Sequence, residues 1–250
     1  MNNFFKKTKL TLWVLMFFTF ASQGQEDSVV YYNVFDEVVG IANTNLYQGV
    51  IYTQKYRTIN DKTPFYTSIK FLKGSVVYDG QPYHGLDLKY DIFEDQLLLK
   101  LNSITSIEKT LQLKWDYIDE FEILGHRFVK LLSDSIPTLN YYGFYEKSLS
   151  GSYFSMYQKF RKKRIKIKDT DAIYYEFIKS KSEYVLHYKS KYHLINSRKE
   201  VVALFPQFKK EIHKFYGTVR NLRSNDMDSF MVALMKKIES LIYQIDIETK

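Results

Sequence analysis

The side chains that could carry out acid–base chemistry lie together at one place in the sequence. His84 lies in the segment Pro82-Tyr83-His84-Gly85, with Asp79 before it and Asp87 after it. No other histidine in the chain has carboxylates so close on both sides. A strand arrangement could bring the three side chains together as ligands or as an acid–base pair. The other interpretation, which we favour, is a solvated turn histidine between surface aspartates, and we predict no metal site.

The second candidate is a run of cations at residues 159–168, in which seven of ten side chains are basic. In a strand, alternation places charge on both faces, so neither face can be buried deeply without partners. Charged edge strands also protect a sheet from pairing with another sheet. The run is therefore either a protected edge or a contact surface for anionic material. For the contact surface, the predicted binding residues are Lys159, Arg161, Lys162, Lys163, Arg164 and Lys166.

The motifs typical of common enzyme classes are absent from the sequence. It has no Gly-x-Ser-x-Gly elbow, no His-Glu-x-x-His pair and no glycine-rich phosphate loop. The chain contains no cysteine, which excludes thiol catalysis and thiolate metal sites. We therefore expect a non-catalytic binding or scaffold protein without a cofactor. A hydrolase built around His84, Asp79 and Asp87 is the alternative.

The N-terminus has the order of a secretory signal peptide. Lys6, Lys7 and Lys9 precede an apolar run at residues 10–20, and small residues follow as far as Gly24. Eleven residues fall short of the roughly 20 that a helix needs to span a bilayer. The sequence thus predicts cleavage near Gly24 and export to the periplasm, the cell surface or the medium. Residues 1–24 are assigned to the signal peptide, and no membrane span is expected in the mature protein.

Charge and cysteine content restrict the partners of an exported chain. The formal charge of +8 includes the three signal-peptide lysines, so the mature chain carries 8 − 3 = +5. Without cysteine it can form no disulfide framework and has no site for a lipid anchor after the signal. Export makes nucleic acid an unsuitable partner for this mild positive charge. Anionic lipid or polysaccharide, or another envelope protein, fits better.

Alternation between apolar and polar residues dominates residues 25–196. Leu86, Leu88, Tyr90 and Ile92 alternate with polar residues, as in a strand with one buried face. Asp79-Gly80 predicts a turn before this strand, and residues 94–96 predict a hairpin connection after it. About ten to twelve short strands with no helix between them predict an antiparallel meander, either a partly open barrel or a sandwich.

Helical patterns begin at residue 197. Ser197 and Glu200 fit a capping box that starts a short helix ending near Phe205. A second helix is predicted to bury Phe208, Ile212, Phe215, Val219 and Leu222, and a third to bury Phe230, Leu234, Ile238 and Leu241. We expect residues 197–250 to pack as a helical pair on the β body, in one folding unit of the α+β class, mostly β.

Several segments resemble uncharacterised exported β-rich proteins of Gram-negative envelopes. They are Asn45-Leu46-Tyr47-Gln48-Gly49, residues 74–83, Leu88-Lys89-Tyr90-Asp91-Ile92, residues 142–146 and Leu204-Phe205-Pro206. The resemblance covers most of the mature chain and implies a β-rich fold in an envelope or secreted setting. Because the similar residues are turn and core residues, it implies no catalytic residue.

Overall fold

The computed structural model describes residues 44–101, 109–132, 139–169 and 171–248. The predicted signal peptide at residues 1–24 and its cleavage position lie outside the described residues. Within the described ranges, no helix has both the length and the apolar character needed to cross a membrane.

Thirteen strands are found in the described part of the chain. Their bounds are β1 (Val50–Ile51), β2 (Leu72–Tyr78), β3 (Gln81–Asp91), β4 (Gln96–Leu101), β5 (Lys109–Gln112), β6 (Ile118–Ile123), β7 (His126–Leu131), β8 (Gly143–Ser150), β9 (Phe154–Lys159), β10 (Lys162–Lys168), β11 (Ile173–Lys179), β12 (Glu183–Tyr188) and β13 (Lys191–Leu194).

Eleven of these strands form one antiparallel sheet, in the order β1-β5-β4-β3-β2-β6-β7-β8-β9-β12-β13. Most neighbours in the sheet are also neighbours in sequence, as in a meander. β1 and β13 are its edges in the described part of the chain, so the sheet stays open. The predicted antiparallel, mostly β class is therefore confirmed.

The β2–β3 hairpin has the predicted turn and alternation. Asp79 and Gly80 both have positive φ, as the turn requires. Alternate residues of β3 are buried from Leu86 to Tyr90, but the pattern shifts by one residue between Tyr83 and Leu86. The shift is a β-bulge, in which Gly85 takes a φ of +66° and β3 gains one residue over β2.

β10 and β11 leave the large sheet and form a separate two-stranded ribbon. In their absence β12 pairs directly with β9. The chain at residues 57–62 runs along the outer edge of β11, where the Phe177 amide donates to the Lys62 carbonyl at 2.9 Å. The cationic run is therefore not one strand of the meander. Its first residue, Lys159, ends β9, and β10 begins at Lys162.

Helices follow the last strand as the sequence predicted. They are α1 (Arg198–Leu204), α2 (Lys209–Thr218), α3 (Arg220–Asn225) and α4 (Met227–Glu248). The capping box of α1 is present, with the Glu200 amide donating to Ser197 Oγ and the Ser197 amide donating to Glu200 Oε2. α4 buries Phe230, Leu234 and Ile238.

The expected second helix is divided in two, which corrects the sequence prediction. Val219, with φ −105° and ψ 33°, separates α2 from α3. Gly217, Thr218 and Val219 are weak helix formers. The Thr218 hydroxyl also donates to the Lys214 carbonyl, a bond that bends helices.

Two main cores hold the fold together. The first lies against β2 to β8 and is rich in aromatic side chains, among them Tyr90, Phe121, Phe128 and Phe144. The second lies between the helices and strands β9 and β12, where Phe154, Met156, Tyr184 and Leu186 share a cluster with α1, α2 and α4. The helices therefore share this second core with the sheet.

Candidate functional site

The cationic run has both buried and exposed members. Lys163, Arg164 and Lys166 are exposed on β10, and Ile165 between them is 38% exposed. Lys163 and Lys166 form no ion pair with any described carboxylate. β10 is also an edge strand, because within the described residues it pairs only with β11. An exposed cationic edge is thus present, shorter than the predicted one.

Lys159 lies in the interior. Its Nζ is 2.6 Å from Asp95 Oδ1, which also accepts a hydrogen bond of 2.5 Å from the Tyr90 hydroxyl. Burial lowers the pKa of Lys159, while Asp95 acts in the opposite direction. Gly143 makes room for this pair, since a Cβ there would lie 1.8 Å from Asp95 Oδ2. Lys159 therefore cannot contact an external surface in this structure.

Arg161 and Lys162 are also held against the protein. The Arg161 guanidinium lies 3.7 Å from the centre of the Tyr141 ring. Lys162 Nζ donates to the carbonyls of Thr63 and Phe65, at 2.8 and 2.5 Å, and burial lowers its pKa. These contacts hold the start of the ribbon against the body. The charge that faces solvent is therefore carried by the later residues of β10.

Arg164 is exposed but supported by aromatic rings. Its guanidinium carbon lies 4.9 Å from the ring centre of Tyr56, 5.5 Å from that of Phe93 and 5.3 Å from that of Tyr175. Tyr56 and Phe93 also pack edge to face with Phe177 of β11. Such packing holds the guanidinium in place on the outer side of the ribbon.

The predicted group around His84 is not assembled by any described contact. The β3 bulge places His84 between the buried Tyr83 and Leu86. Asp87 forms an ion pair of 3.0 Å with Lys73. His84 lines a groove of about 470 Å³ together with Glu120, Glu122 and Arg127.

Asp79 is held at the β2–β3 turn. Its Oδ2 accepts a hydrogen bond of 3.0 Å from Asn45. No described hydrogen bond or ion pair joins His84 to Asp79 or to Asp87. The hydrolase site at these residues stays a prediction.

A larger polar cleft, which sequence reasoning missed, lies between the sheet and α4. It has a volume of about 570 Å³. On the sheet side, Glu146 faces Gln158 across the β8–β9 pair, and His126 is the diagonal neighbour of Glu146 on β7. On the helix side, α4 contributes residues spaced i, i+3, i+4 and i+7, which share one face: Ser229, Val232, Ala233 and Lys236.

His126 and Glu146 form a close pair in this cleft. His126 Nδ1 is 2.6 Å from Glu146 Oε1, and the carboxylate is buried while the imidazole is about half exposed (49%). Tyr66 packs edge-on against the imidazole, with ring centres 6.0 Å apart. Burial raises the pKa of Tyr66, and the charges of Glu146 and Asp228 raise it further. The Tyr66 hydroxyl therefore remains a protonated donor throughout the neutral range.

Asp228, near the start of α4, joins the helix to the strands. It accepts a hydrogen bond from the Tyr184 hydroxyl and lies 2.5 Å from Lys179 Nζ. Burial alone would raise the pKa of Asp228, but the bonds from Lys179 and Tyr184 bring it below its usual value. Asp226 caps α4, accepting hydrogen bonds from the amide and the hydroxyl of Ser229.

A short sequence motif could not have revealed the cleft. Glu146 is 20 residues from His126, and Asp228 is 44 residues from Tyr184. These pairs meet only through strand register and helix docking. In the described part of the chain, no group of three histidine, aspartate or glutamate side chains is arranged to hold a metal ion.

No family model, curated protein or solved structure matches this chain. Functional inference therefore rests on the chemistry of its own residues.

Proposed function

We propose that the protein is an exported binding or scaffold module that contacts anionic envelope material through the ribbon β10–β11. The observation that carries the proposal is the exposed edge strand β10, with Lys163, Arg164 and Lys166 open to solvent. Phosphate and carboxylate groups are shared by anionic lipids and anionic polysaccharides. Both kinds of group accept charge-assisted hydrogen bonds from Arg and Lys.

Acids within the ribbon offset only part of its charge, because Asp169 and Asp171 lie at the end of the cationic run. Residues 162–168 contain five cations and no carboxylate. Glu176, opposite Ile165 on β11, is already engaged by Lys62 and Asn60, each at 2.7 Å. The remaining cations repel one another, so a surface of opposite charge relieves that repulsion.

The ribbon is also held rigidly enough to present its charges. Lys162 anchors its start to the body through two backbone carbonyls, and residues 57–62 bond along the outer edge of β11. Arg164 rests on three rings. A surface that is ordered before binding loses less conformational entropy when the ligand arrives.

The predicted signal peptide supports an envelope setting for this contact, as does the resemblance to exported β-rich proteins. The competing explanation is that the same charges only protect an edge strand from pairing. The two explanations differ in whether the folded protein binds an anionic surface.

Cosedimentation tests the proposal. The mature protein should sediment with phosphatidylglycerol vesicles, or with an insoluble anionic polysaccharide, at low salt and remain in the supernatant with phosphatidylcholine vesicles. Binding should fall steeply toward physiological salt, where charges are screened over about 8 Å. The lipid and polysaccharide arms identify the source of the anion. No sedimentation with either anionic material at low salt would leave the ribbon as a protected edge.

A further inference from the structure

The cleft between the sheet and α4 holds polar side chains that are fixed by hydrogen bonds and ion pairs with neighbouring protein groups. Glu146 is oriented by His126, and Asp228 by Lys179 and Tyr184. The Gln158 amide donates to Ser182 Oγ at 3.2 Å, which fixes the plane of that amide. Polar groups held in this way can recognise a ligand without reorganising.

An aromatic pair lines the same cleft. The rings of Tyr66 and Phe160 lie 5.2 Å apart and are each half-buried. The Tyr66 hydroxyl has no hydrogen-bond partner among the residues that the structure describes. The cleft therefore combines apolar ring surface with a hydroxyl donor, carboxylate acceptors and an amide.

Charges of both signs line the cleft, which argues against a strongly charged ligand. Three carboxylates lie among two lysines: Glu146, Asp226, Asp228, Lys179 and Lys236. An anion would meet the carboxylates and a cation would meet the lysines. A neutral ligand with many hydroxyl groups meets neither penalty and can hydrogen-bond to both donors and acceptors in the cleft.

We infer that this cleft binds a neutral sugar residue, either free or at the end of a glycan. A pyranose ring presents an apolar face of C–H groups, suited to Tyr66 and Phe160, and a rim of hydroxyl groups suited to Glu146, Gln158 and Asp228. A volume of about 570 Å³ is in the usual range for small-ligand sites. The inference does not depend on the exposed cations of β10, on which the proposed function rests.

Saturation-transfer NMR of the mature protein with glucose, galactose, mannose and N-acetylglucosamine tests the inference. At least one of these sugars should receive saturation, and glucuronate, which adds a carboxylate to the ring, should receive less than glucose. No transfer to any of the four neutral sugars would overturn the inference. Stronger transfer to glucuronate than to all four would also overturn it, in favour of an anion site.

Two variants locate the binding. Ala233→Trp fills the cleft from α4, and Ser240→Trp places the same ring elsewhere on that helix, outside the cleft. Ala233→Trp should weaken binding at least tenfold, whereas Ser240→Trp should bind as the parent does.

Glu146→Gln provides a second test that adds no bulk. It should also weaken binding, with a melting transition that shows a folded protein. If sugar binding survived both Ala233→Trp and Glu146→Gln, the sugar would bind elsewhere and the assignment would be wrong.

Discussion

Lys159 and Asp95 form an ion pair with an Nζ–Oδ1 distance of 2.6 Å, in which the lysine side chain is only 7% exposed. The sequence prediction places this lysine in the cationic run at residues 159–168, as a candidate contact residue. In the structure it belongs to a buried network that includes the Tyr90 hydroxyl and the Phe144 amide. Its role is therefore in stability, and it lies outside the ribbon β10–β11.

Replacing Lys159 with Met should destabilise the protein strongly. The change leaves the Asp95 carboxylate in a poorly solvated site without its counter-charge, which costs roughly 3–5 kcal/mol for a buried pair. Urea unfolding, monitored by circular dichroism, measures the difference in unfolding free energy between the variant and the parent protein. Lys163→Met, on the exposed strand, is the matched control and should change stability by no more than about 0.5 kcal/mol. Equal effects of the two substitutions would show that the Lys159–Asp95 pair is not a buried one.

Gly143→Ala should also be destabilising, for two separable reasons. The φ of +121° at Gly143 strains any residue with a Cβ, at roughly 1–3 kcal/mol. That Cβ would also clash with Asp95 Oδ2. In an Asp95→Ala background the clash with Asp95 disappears, whereas the backbone strain and the 2.7 Å approach to Lys159 Nζ remain. The loss of unfolding free energy caused by Gly143→Ala, measured by urea unfolding, should therefore be smaller in that background. An equal loss in both backgrounds would show that the clash with Asp95 does not contribute.

The fold should lose stability as the pH rises above about 10. Burial raises the pKa of Tyr66 in the folded state, whereas a tyrosine in the unfolded chain ionises near pH 10. The unfolded chain thus loses its protons first, so the stabilisation from Tyr66 is present below about pH 10 and is lost above it. The same holds for Tyr90, Tyr145 and Tyr184.

Burial lowers the pKa of Lys159, so the stability contributed by that residue rises with pH instead of falling. The test therefore compares the parent protein with a variant that lacks the Tyr66 hydroxyl. Tyr66→Phe removes one ionisable hydroxyl and keeps the ring. Its melting temperature should fall less between pH 9 and pH 11 than that of the parent protein. Parallel curves for the two proteins would mean that Tyr66 ionises normally in the folded state.

Ending the chain after Asn196 should give an aggregating or molten β body. Removing the helices exposes the second core, including Phe154, Met156, Tyr184 and Leu186, which are all nearly fully buried in the intact protein. Dye binding and near-ultraviolet circular dichroism of the 25–196 fragment would measure the exposure of apolar surface and the loss of fixed tertiary packing. A monodisperse fragment with a cooperative melting transition would instead show that the β body folds alone.

Local patterns predicted the elements whose structure depends on nearby residues. The alternation from Leu86 to Tyr90, the turn at Asp79 and the cap at Ser197 all depend on residues within a few positions. They are present as predicted. Local signals therefore sufficed for the class of the fold.

The sequence could not show how distant segments pair. The departure of β10 and β11 from the sheet depends on β9 pairing with β12 across the inserted ribbon. The burial of Lys159 depends on Asp95, 64 residues away. The contact between His126 and Glu146 follows from the register of β7 and β8. Each is a long-range relationship that no spacing along the chain encodes.

The most direct test of the ribbon as a contact surface compares two variants that lose the same charge. One replaces Lys163, Arg164, Lys166 and Lys168 with Gln, and the other replaces four exposed helical lysines with Gln: Lys199, Lys209, Lys210 and Lys214. Each cation near an anionic surface contributes roughly 1 kcal/mol, so loss of the four ribbon cations should weaken binding at least tenfold.

Cosedimentation with phosphatidylglycerol vesicles and with an insoluble anionic polysaccharide at low salt, alongside melting curves of both variants, is the decisive measurement. We expect the ribbon variant to remain in the supernatant with the material that the parent binds, and the helical variant to sediment nearly as the parent does, with both still folded. If the two variants bind equally, binding reflects net charge alone and the ribbon is not the contact surface.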